Sequence, residues 1–391
     1  MGFDVARARA ETPGCETVIH LANGGAGLMP APVLNAVKDH LDLEARIGGY
    51  EARRAREDQV EGLYDSAARY FNCSADEIAS VENATVAWDM AFYSLSFKPG
   101  DRILTAAAEY ASNYIAYLQV ARRTGAVVEV VPNDNSGQLD VKALENMIDS
   151  RVKLISVTHV PTNGGLVNPA AAIGKVARAA GIPYLLDACQ SFGQMKLDMQ
   201  EIGCDMASVT GRKYMRGPRG TGLLYVRKSM LDKLEPPFLD LHSALWTGPD
   251  SYEMQPNAKR FENWEKYVAG QIGLKTAIDY AMGWGIDAIE ARVTELADGF
   301  RRKLSAIPGV TVRDLGEKRC GIVTFTRDGV EPEAIMAAMS ANKINCSVSR
   351  ITSTRIDMTQ RGLEKVLRTG VHYYNNDAEL DRFLEVLEGV K

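Results

Sequence analysis

At 391 residues, with 46% hydrophobic and 24% charged side chains, the chain is too long for one small core and reads as two globular domains, or one large and one smaller. A formal net charge of −5 argues against a nucleic-acid partner, and no apolar run is long enough to cross a bilayer. The start, MGFDVARARAETPG, lacks the apolar core of a secretory signal, and the cysteines (Cys15, Cys73, Cys189, Cys204, Cys320, Cys346) show no CxxC pair or metal-ligand spacing, so a cytoplasmic protein with free thiols and no metal is expected.

In chain order, PAPVLNAVKDHLDLEARIGGYEARR opens on prolines suited to a helix start and continues with helix-forming residues. EGLYDSAARYF places apolar residues at helical spacing, and EIASVENAT reads as a short strand leaving its sheet. DRILTAAAEY, AVVEVVP, KLISVTHV, IPYLLDAC, DMASVTG and TGLLYVRK follow, each apolar, short and bounded by turn residues, as buried strands should be. Helical stretches such as SNYIAYLQVARRTG and NPAAAIGKVARAAG lie between several of them. This alternation predicts an α/β domain with a mostly parallel sheet between helices. After about Pro256 the pattern changes to two long helices, AKRFENWEKYVAGQIGLKTAIDYAMGWG and DAIEARVTELADGFRRKLSAI. VTVRDL, CGIVTFT, the helix EPEAIMAAMSANK, the strand INCSVS and a last helix, DAELDRFLEVLEGV, then predict a smaller α+β domain. The expected division is a segment over residues 1–20 that packs with the small domain, a large domain over 21–255, and a helical connection plus small domain over 256–391.

SVTGRKYMRGPRGTGLLYV carries a single lysine, Lys213, between a strand and a turn dense in glycine and arginine. Nearby cations and loss of water lower a lysine's pKa and make it an imine-forming nucleophile. Arg212, Arg216 and Arg219 are the candidate cations, or partners for a phosphate. Taken alone, this is the pattern of a solvated surface lysine. IPYLLDACQSFG places Asp187 at the carboxyl end of an apolar strand, where α/β sheets bind ligands, and an aspartate there can pair with a protonated pyridine nitrogen. Gln190, three residues on, can donate to a phenolic oxygen. Singly, the two read as a turn aspartate and a loop amide.

In VENATVAWDMAFYSL the Ala84–Thr85 step opens a helix, whose first N–H groups and the Thr85 hydroxyl make an anion site suited to a phosphate. The plain alternative makes Thr85 a helix cap. Thr210 and Arg212 would complete the cup from the far side. Tyr110, in EYASNY, follows a strand end and can stack on a ring, or serve as a half-buried core tyrosine. An imine lysine, a counter-acid for a ring nitrogen, a phosphate cup and a stacking face at consecutive strand ends together suit pyridoxal 5′-phosphate (PLP).

With these blocks the sequence resembles the class V aminotransferase superfamily of fold-type I PLP enzymes, which includes cysteine desulfurases, cysteine and cystine C–S lyases and isopenicillin N epimerase. The resemblance runs from HLANGGAGLMP to VLRTGVHYYNNDAELDRFLEVL, through EYASNY, THVPTNGGLVNP, LLDACQSFGQ and VTGRKYMRGPRGTGLLYV. It implies a fold-type I architecture, a homodimer with shared active sites, and PLP held by Lys213 as a Schiff base. By the same likeness Asp187 meets the ring nitrogen and Gln190 the phenolic oxygen. Ala84, Thr85, Thr210 and Arg212 surround the phosphate, and Tyr110 takes the place of a stacking histidine. Arg368 matches an arginine that clamps the substrate's α-carboxylate, which a planar guanidinium does bidentately. Asn23 and Gly24 would lie near the substrate.

Two departures bear on the reaction. Where desulfurases carry a nucleophilic cysteine on a mobile loop, the alignment from INCSVSRITSTR places a residue near Thr352, and Cys346 falls in the strand. In RFENWEKYVAG, Glu262 is retained but Trp264 and Glu265 replace a glycine–threonine step that reaches the partner subunit's phosphate. His242 and Trp246 in DLHSALWTG are candidates to project into the partner's site. The resemblance therefore implies an amino-acid lyase acting by C–S β-elimination on a cysteine-derived substrate, with Lys213 as the base at Cα. Epimerase, aminotransferase and cysteine desulfurase stay open, as does a non-catalytic protein that kept the fold.

Overall fold

The apolar runs between residues 78 and 226 form one seven-stranded sheet in the computed structural model, which describes residues 3–390. The strands are β1 (Ile78–Val81), β2 (Arg102–Ala106), β3 (Val127–Val131), β4 (Val152–Thr158), β5 (Tyr184–Asp187), β6 (Met206–Thr210) and β7 (Gly222–Val226). Their spatial order is β1-β7-β6-β5-β4-β2-β3. From β6 to β3 all neighbours are parallel; β7 lies antiparallel to both β6 and β1. The chain winds outward from β2 to β3 and returns on the other side of β2 as β4. That reversal opens a crevice at the carboxyl ends of β2 and β4, the place where such sheets bind ligands.

Burial follows position in the sheet. Every residue of β1, β2, β5, β6 and β7 is buried, and helices cover both faces. The helices Ala84–Phe92 and Ala111–Thr124 stack Trp88, Phe92 and Tyr117 on one face. β3 departs from the expected buried strand: it forms the edge, its residues are mostly half-exposed, and Glu129 pairs with Arg102 of β2. A charged edge of this kind blocks pairing with another chain.

The C-terminal part holds a four-stranded antiparallel sheet in the order Val310–Val312, Ile322–Arg327, Lys365–Gly370, Ser347–Arg350. The helices Ile286–Ser305, Pro332–Ala341 and Asp377–Gly389 pack with it. The N-terminal segment meets this part, because Ile19–His20 pair in parallel with Ile344–Asn345 and Arg9 reaches Glu379 at 2.7 Å.

Two helices expected to be continuous are broken. Gly48, at φ +95°, separates Ala31–Ile47 from Gly49–Ala55. The run starting AKRF makes only a short turn over Ala258–Phe261, and its long helix begins at Val268. Glu262 explains the delay. Its fully buried carboxylate accepts from the Tyr64 hydroxyl at 2.8 Å and the Ser80 N–H at 2.7 Å, and meets His242 at 2.8 Å and Lys266. A side chain held from three other parts of the chain, with Lys266 of its own segment, draws the backbone off a helical path, since a buried carboxylate needs its partners.

Candidate active site

The carboxyl ends of β2, β4, β5 and β6, with the start of the helix Ala84–Phe92, enclose a cavity of about 430 Å³. Eight of the site residues expected from sequence line it: Ala84, Thr85, Tyr110, Asp187, Gln190, Thr210, Arg212 and Lys213. Lys213 is no solvated surface lysine. Burial is the main cause that pushes it below the ordinary lysine range; Cys189 and Asp187 oppose the shift, and repulsion from Arg212 and Arg368 adds to it. The loop that carries it is pressed against the turn after Asp187. Gly193 has φ +94°, and a Cβ there would overlap the backbone of Tyr214 and Met215. We expect Gly193→Ala to lower stability by about 2–4 kcal/mol in urea unfolding, because both conformation and space are denied to the methyl group.

Asp187 closes β5 with its carboxylate held on both oxygens. Oδ1 accepts from the Cys189 N–H at 3.0 Å and Oδ2 from Asn113 Nδ2 at 3.0 Å. Gln190 is buried; its Nε2 donates to the Gly24 carbonyl at 2.9 Å, while Oε1 has no partner. Thr85 is not the helix cap, since Asn83 takes that role by accepting from the Val86 N–H at 3.0 Å. The Thr85 hydroxyl and the first free N–H groups of the helix are thereby left to a ligand. Tyr110, 38% exposed, caps the helix Ala111–Thr124 by its backbone and lies outside the hydrophobic core.

The three arginines near Lys213 part company. Arg212 lines the cavity and donates to the Gly25 carbonyl, and Arg219 is exposed. Arg216 turns away at φ +60° into a fully buried nest of Thr12, Leu28, Tyr373 and Tyr374, so it neutralises no phosphate here. Arg368 comes from the small sheet. It donates to the Thr162 hydroxyl at 2.5 Å and carbonyl at 3.1 Å and to the Ser347 hydroxyl at 3.2 Å. All three partners are neutral, and Thr162 itself lines the cavity.

Arg368, Asn23 and Gly24 are not among the lining residues, although Arg368 reaches the wall through Thr162. Asn23 is fully buried, its amide donating to the Gly370 carbonyl at 2.7 Å and accepting from the Tyr374 hydroxyl at 2.5 Å. Gly24 contributes only the carbonyl that Gln190 uses. His242 rests on Glu262 within its own chain, whereas Trp246 is 78% exposed on the hairpin Ala244–Gly248/Ser251–Met254. Thr352 is exposed on a short turn over Ile351–Ser353. Cys346 does not lie in a strand as expected: it falls in the break between Ile344–Asn345 and Ser347–Arg350, partly buried against the core, while its neighbour Ser347 meets Arg368.

Sequence reasoning missed Asn83, Asn113 and Glu109. Glu109 is fully buried beside the Asp187 network, and burial, with repulsion from Asp187, pushes its carboxyl up to about 7. The signal lay in EYASNY itself, where Glu109 and Asn113 stand four residues apart and meet at the helix start.

The comparisons with known proteins agree with this geometry. The model of the aminotransferase class-V family matches residues 19–383. A probable cysteine desulfurase of Methanothermobacter thermautotrophicus is 28% identical over 388 residues, covering 98% of this chain and 97% of that protein. The apo structure of the cysteine desulfurase from Thermococcus onnurineus NA1 superposes with a TM-score of 0.93 at 26% identity, covering 100% of this chain and 98% of that one. The complex of the cystine C–S lyase C-DES with its reaction product cysteine persulfide shares the fold, with a TM-score of 0.87 at 22% identity over 97% of this chain and 99% of that one. With a fold-type I sheet, a lysine and an aspartate facing one cavity at its strand ends, and a family match over nearly its whole length, the chain belongs to the class V aminotransferase family.

Proposed function

We propose that this chain is a PLP-dependent lyase that eliminates a sulfur substituent from Cβ of a cysteine-derived amino acid. The residues present fit the cofactor. Gln190 and Asp187 are buried polar side chains on the cavity wall; Gln190 Nε2 gives one hydrogen to the Gly24 carbonyl and keeps the second for a phenolic oxygen, and the Asp187 carboxylate is an acceptor for a ring N–H. Lys213 would hold the cofactor covalently, Asp187 its ring nitrogen and Gln190 its phenolic oxygen. Thr85, Thr210 and Arg212, with the helix start at Ala84, would hold its phosphate, and Tyr110 would cover the ring. PLP, when bound, supplies an electron sink for the pair left when the bond from Cα to hydrogen breaks.

The rest is done by the chain. Arg368, already oriented by Thr162 and Ser347, takes the substrate carboxylate. Lys213 Nζ takes the proton from Cα, and its lowered pKa leaves more of the amine unprotonated and ready to do so. The sulfur then leaves Cβ with its bonding pair, and water releases pyruvate and ammonia from the remaining fragment.

The observation that favours elimination over desulfuration is the state of the thiols. Burial is the first cause that pushes all six cysteines above the ordinary thiol range, Cys346 to about 12, and only Cys189 lines the cavity. A sulfur acceptor must be a thiolate to attack, and none is poised to be one.

An amino-acid panel followed for pyruvate, ammonia and sulfide tests the proposal. Pyruvate with ammonia from cysteine, cystine or an S-substituted cysteine, without added thiol, is expected. Alanine as the carbon product would replace this reading by desulfuration, and deuterium exchange at Cα with neither product would replace it by epimerisation or transamination. In the same assay, Arg368→Ala is expected to lower kcat/KM by about 10²- to 10³-fold, chiefly through KM, with the cofactor's absorption unchanged.

The same reading takes the protein to be a cytoplasmic homodimer. Leu241, Leu245 and Trp246 are more than half exposed in the single chain, a set that a second copy would cover. The six cysteines are free, which fits a reducing compartment, and no described helix is long and apolar enough to cross a membrane.

A further inference from the structure

Behind Asp187 lies a second buried carboxylate for which the reaction above has no use. Glu109 follows β2 and stands two residues before the helix Ala111–Thr124. Five donors converge on its two oxygens: the Thr105 hydroxyl at 3.0 Å, the Thr158 N–H at 2.9 Å, the Thr158 hydroxyl at 2.5 Å, the Tyr110 N–H at 3.1 Å and Asn113 Nδ2 at 2.8 Å. These donors favour the ionised carboxylate, which has acceptor sites and no proton to place, against the burial and the repulsion from Asp187 that push the Glu109 carboxyl up to about 7. Asn113 uses the same Nδ2 to reach Asp187 at 3.0 Å. Two hydrogens of one amide thus join two buried carboxylates, and the Cys189 N–H holds the remaining oxygen of Asp187.

A scaffold that needed only to fix the start of the helix Ala111–Thr124 had no reason to place a charge here. A neutral side chain would avoid the cost of burying a carboxylate within reach of another. The arrangement instead concentrates negative charge on one wall of the cavity, where a protonated ring nitrogen would be stabilised by it.

We propose that Glu109 is a positioning residue that acts through Asn113: it fixes the rotation of the Asp187 carboxylate and adds a second negative charge behind the group that faces the cofactor's ring nitrogen. The proposal rests on the PLP reading above. Removing Glu109 leaves Asn113 without its second acceptor and Asp187 free to turn. Removing the Asn113 amide uncouples the two carboxylates and leaves Glu109 in place.

The test uses the wild type, Glu109→Gln and Asn113→Ala, each loaded with PLP labelled with 15N in the ring. Three quantities are read: the 15N shift of the ring nitrogen against pH, the cofactor Kd by absorbance titration, and the thermal unfolding of the cofactor-free proteins. The apparent pKa of the ring nitrogen is expected to fall by about one unit in both variants, a tenfold change, and cofactor affinity by about three- to tenfold. Asn113→Ala carries the test if glutamine among five donors prevents folding of the first variant. A lowered unfolding temperature with the wild-type 15N titration and Kd would make Glu109 a fold element and overturn the proposal. A wild type that takes up no PLP would overturn the lyase reading and this proposal together, an outcome distinguishable from the previous one because it appears before any substitution is made.

Discussion

Lys213→Ala is expected to lower turnover on the best substrate by about 10³-fold or more, while the protein still folds and still takes up cofactor without a covalent link. In the proposed reaction the side chain has two duties that no neighbour can assume. Arg212 and Arg368 stay protonated at any working pH, and Asp187 is fixed at both oxygens by Asn113 and Cys189. Single-turnover kinetics following loss of deuterium from Cα measure the effect. A small primary amine added to the buffer should restore part of the rate, since it can enter the space the lysine leaves. The pH profile carries the sign of the environment. A base works unprotonated, so its rate limb rises as pH rises through its pKa. Burial holds Lys213 below the ordinary lysine range, and the limb should therefore lie at lower pH than a solvent-exposed lysine would give. Wild-type turnover that survives the alanine substitution would remove Lys213 from the reaction.

Arg216→Met is expected to cost about 3–5 kcal/mol of stability, read as a shift in the denaturant midpoint without a change in slope. The guanidinium is 1% exposed. It donates to the Leu28 carbonyl at 2.7 Å, the Tyr373 hydroxyl at 2.6 Å and the Thr12 hydroxyl at 2.5 Å, and lies 4.6 Å from the centre of the Tyr374 ring. Those partners come from the N-terminal segment and from the chain after Lys365–Gly370, and the arginine itself follows Lys213 by three residues. One cation thus ties two distant parts of the chain to the loop that carries Lys213. Methionine fills much of the volume and leaves three acceptors buried without a donor, a loss that packing cannot replace. Because Lys213 sits on the same loop, residual activity should fall with stability. An unchanged midpoint would show that the nest contributes nothing to the fold.

Some of this was legible in the chain itself. The strand-and-helix alternation, the parallel sheet and the placement of Asp187, Thr210 and Lys213 near strand ends follow from local patterns. An apolar run bounded by turn residues makes its own strand, and the residue after it stands at the sheet's edge whatever the rest of the protein does. The eight expected residues that line the cavity were readable for that reason. Asn83 could have been read too, as the residue before an apolar helix, which would have released Thr85 from the capping role.

Other assignments needed the folded molecule. Arg212, Arg216 and Arg219 lie within eight residues and look alike in sequence, yet one lines the cavity, one is buried as a structural cation and one is exposed. Cys346 and Ser347 are neighbours, yet one sits in a break between two strands, partly buried against the core, and the other starts a strand and meets Arg368. Glu262 stops a helix that composition would have started earlier, because its partners Tyr64, Ser80 and His242 arrive from elsewhere.

By itself, then, the sequence determined the order and type of the elements, the strand ends that open on the cavity, and the residue types assembled there. Only the tertiary structure decided which charges are paired, which are left facing the cavity, and which carboxylates share a hydrogen-bond donor. The physical reason is range: periodicity and turn chemistry act over a few residues, whereas burial and charge pairing bring together groups such as Asn113 and Asp187, 74 positions apart.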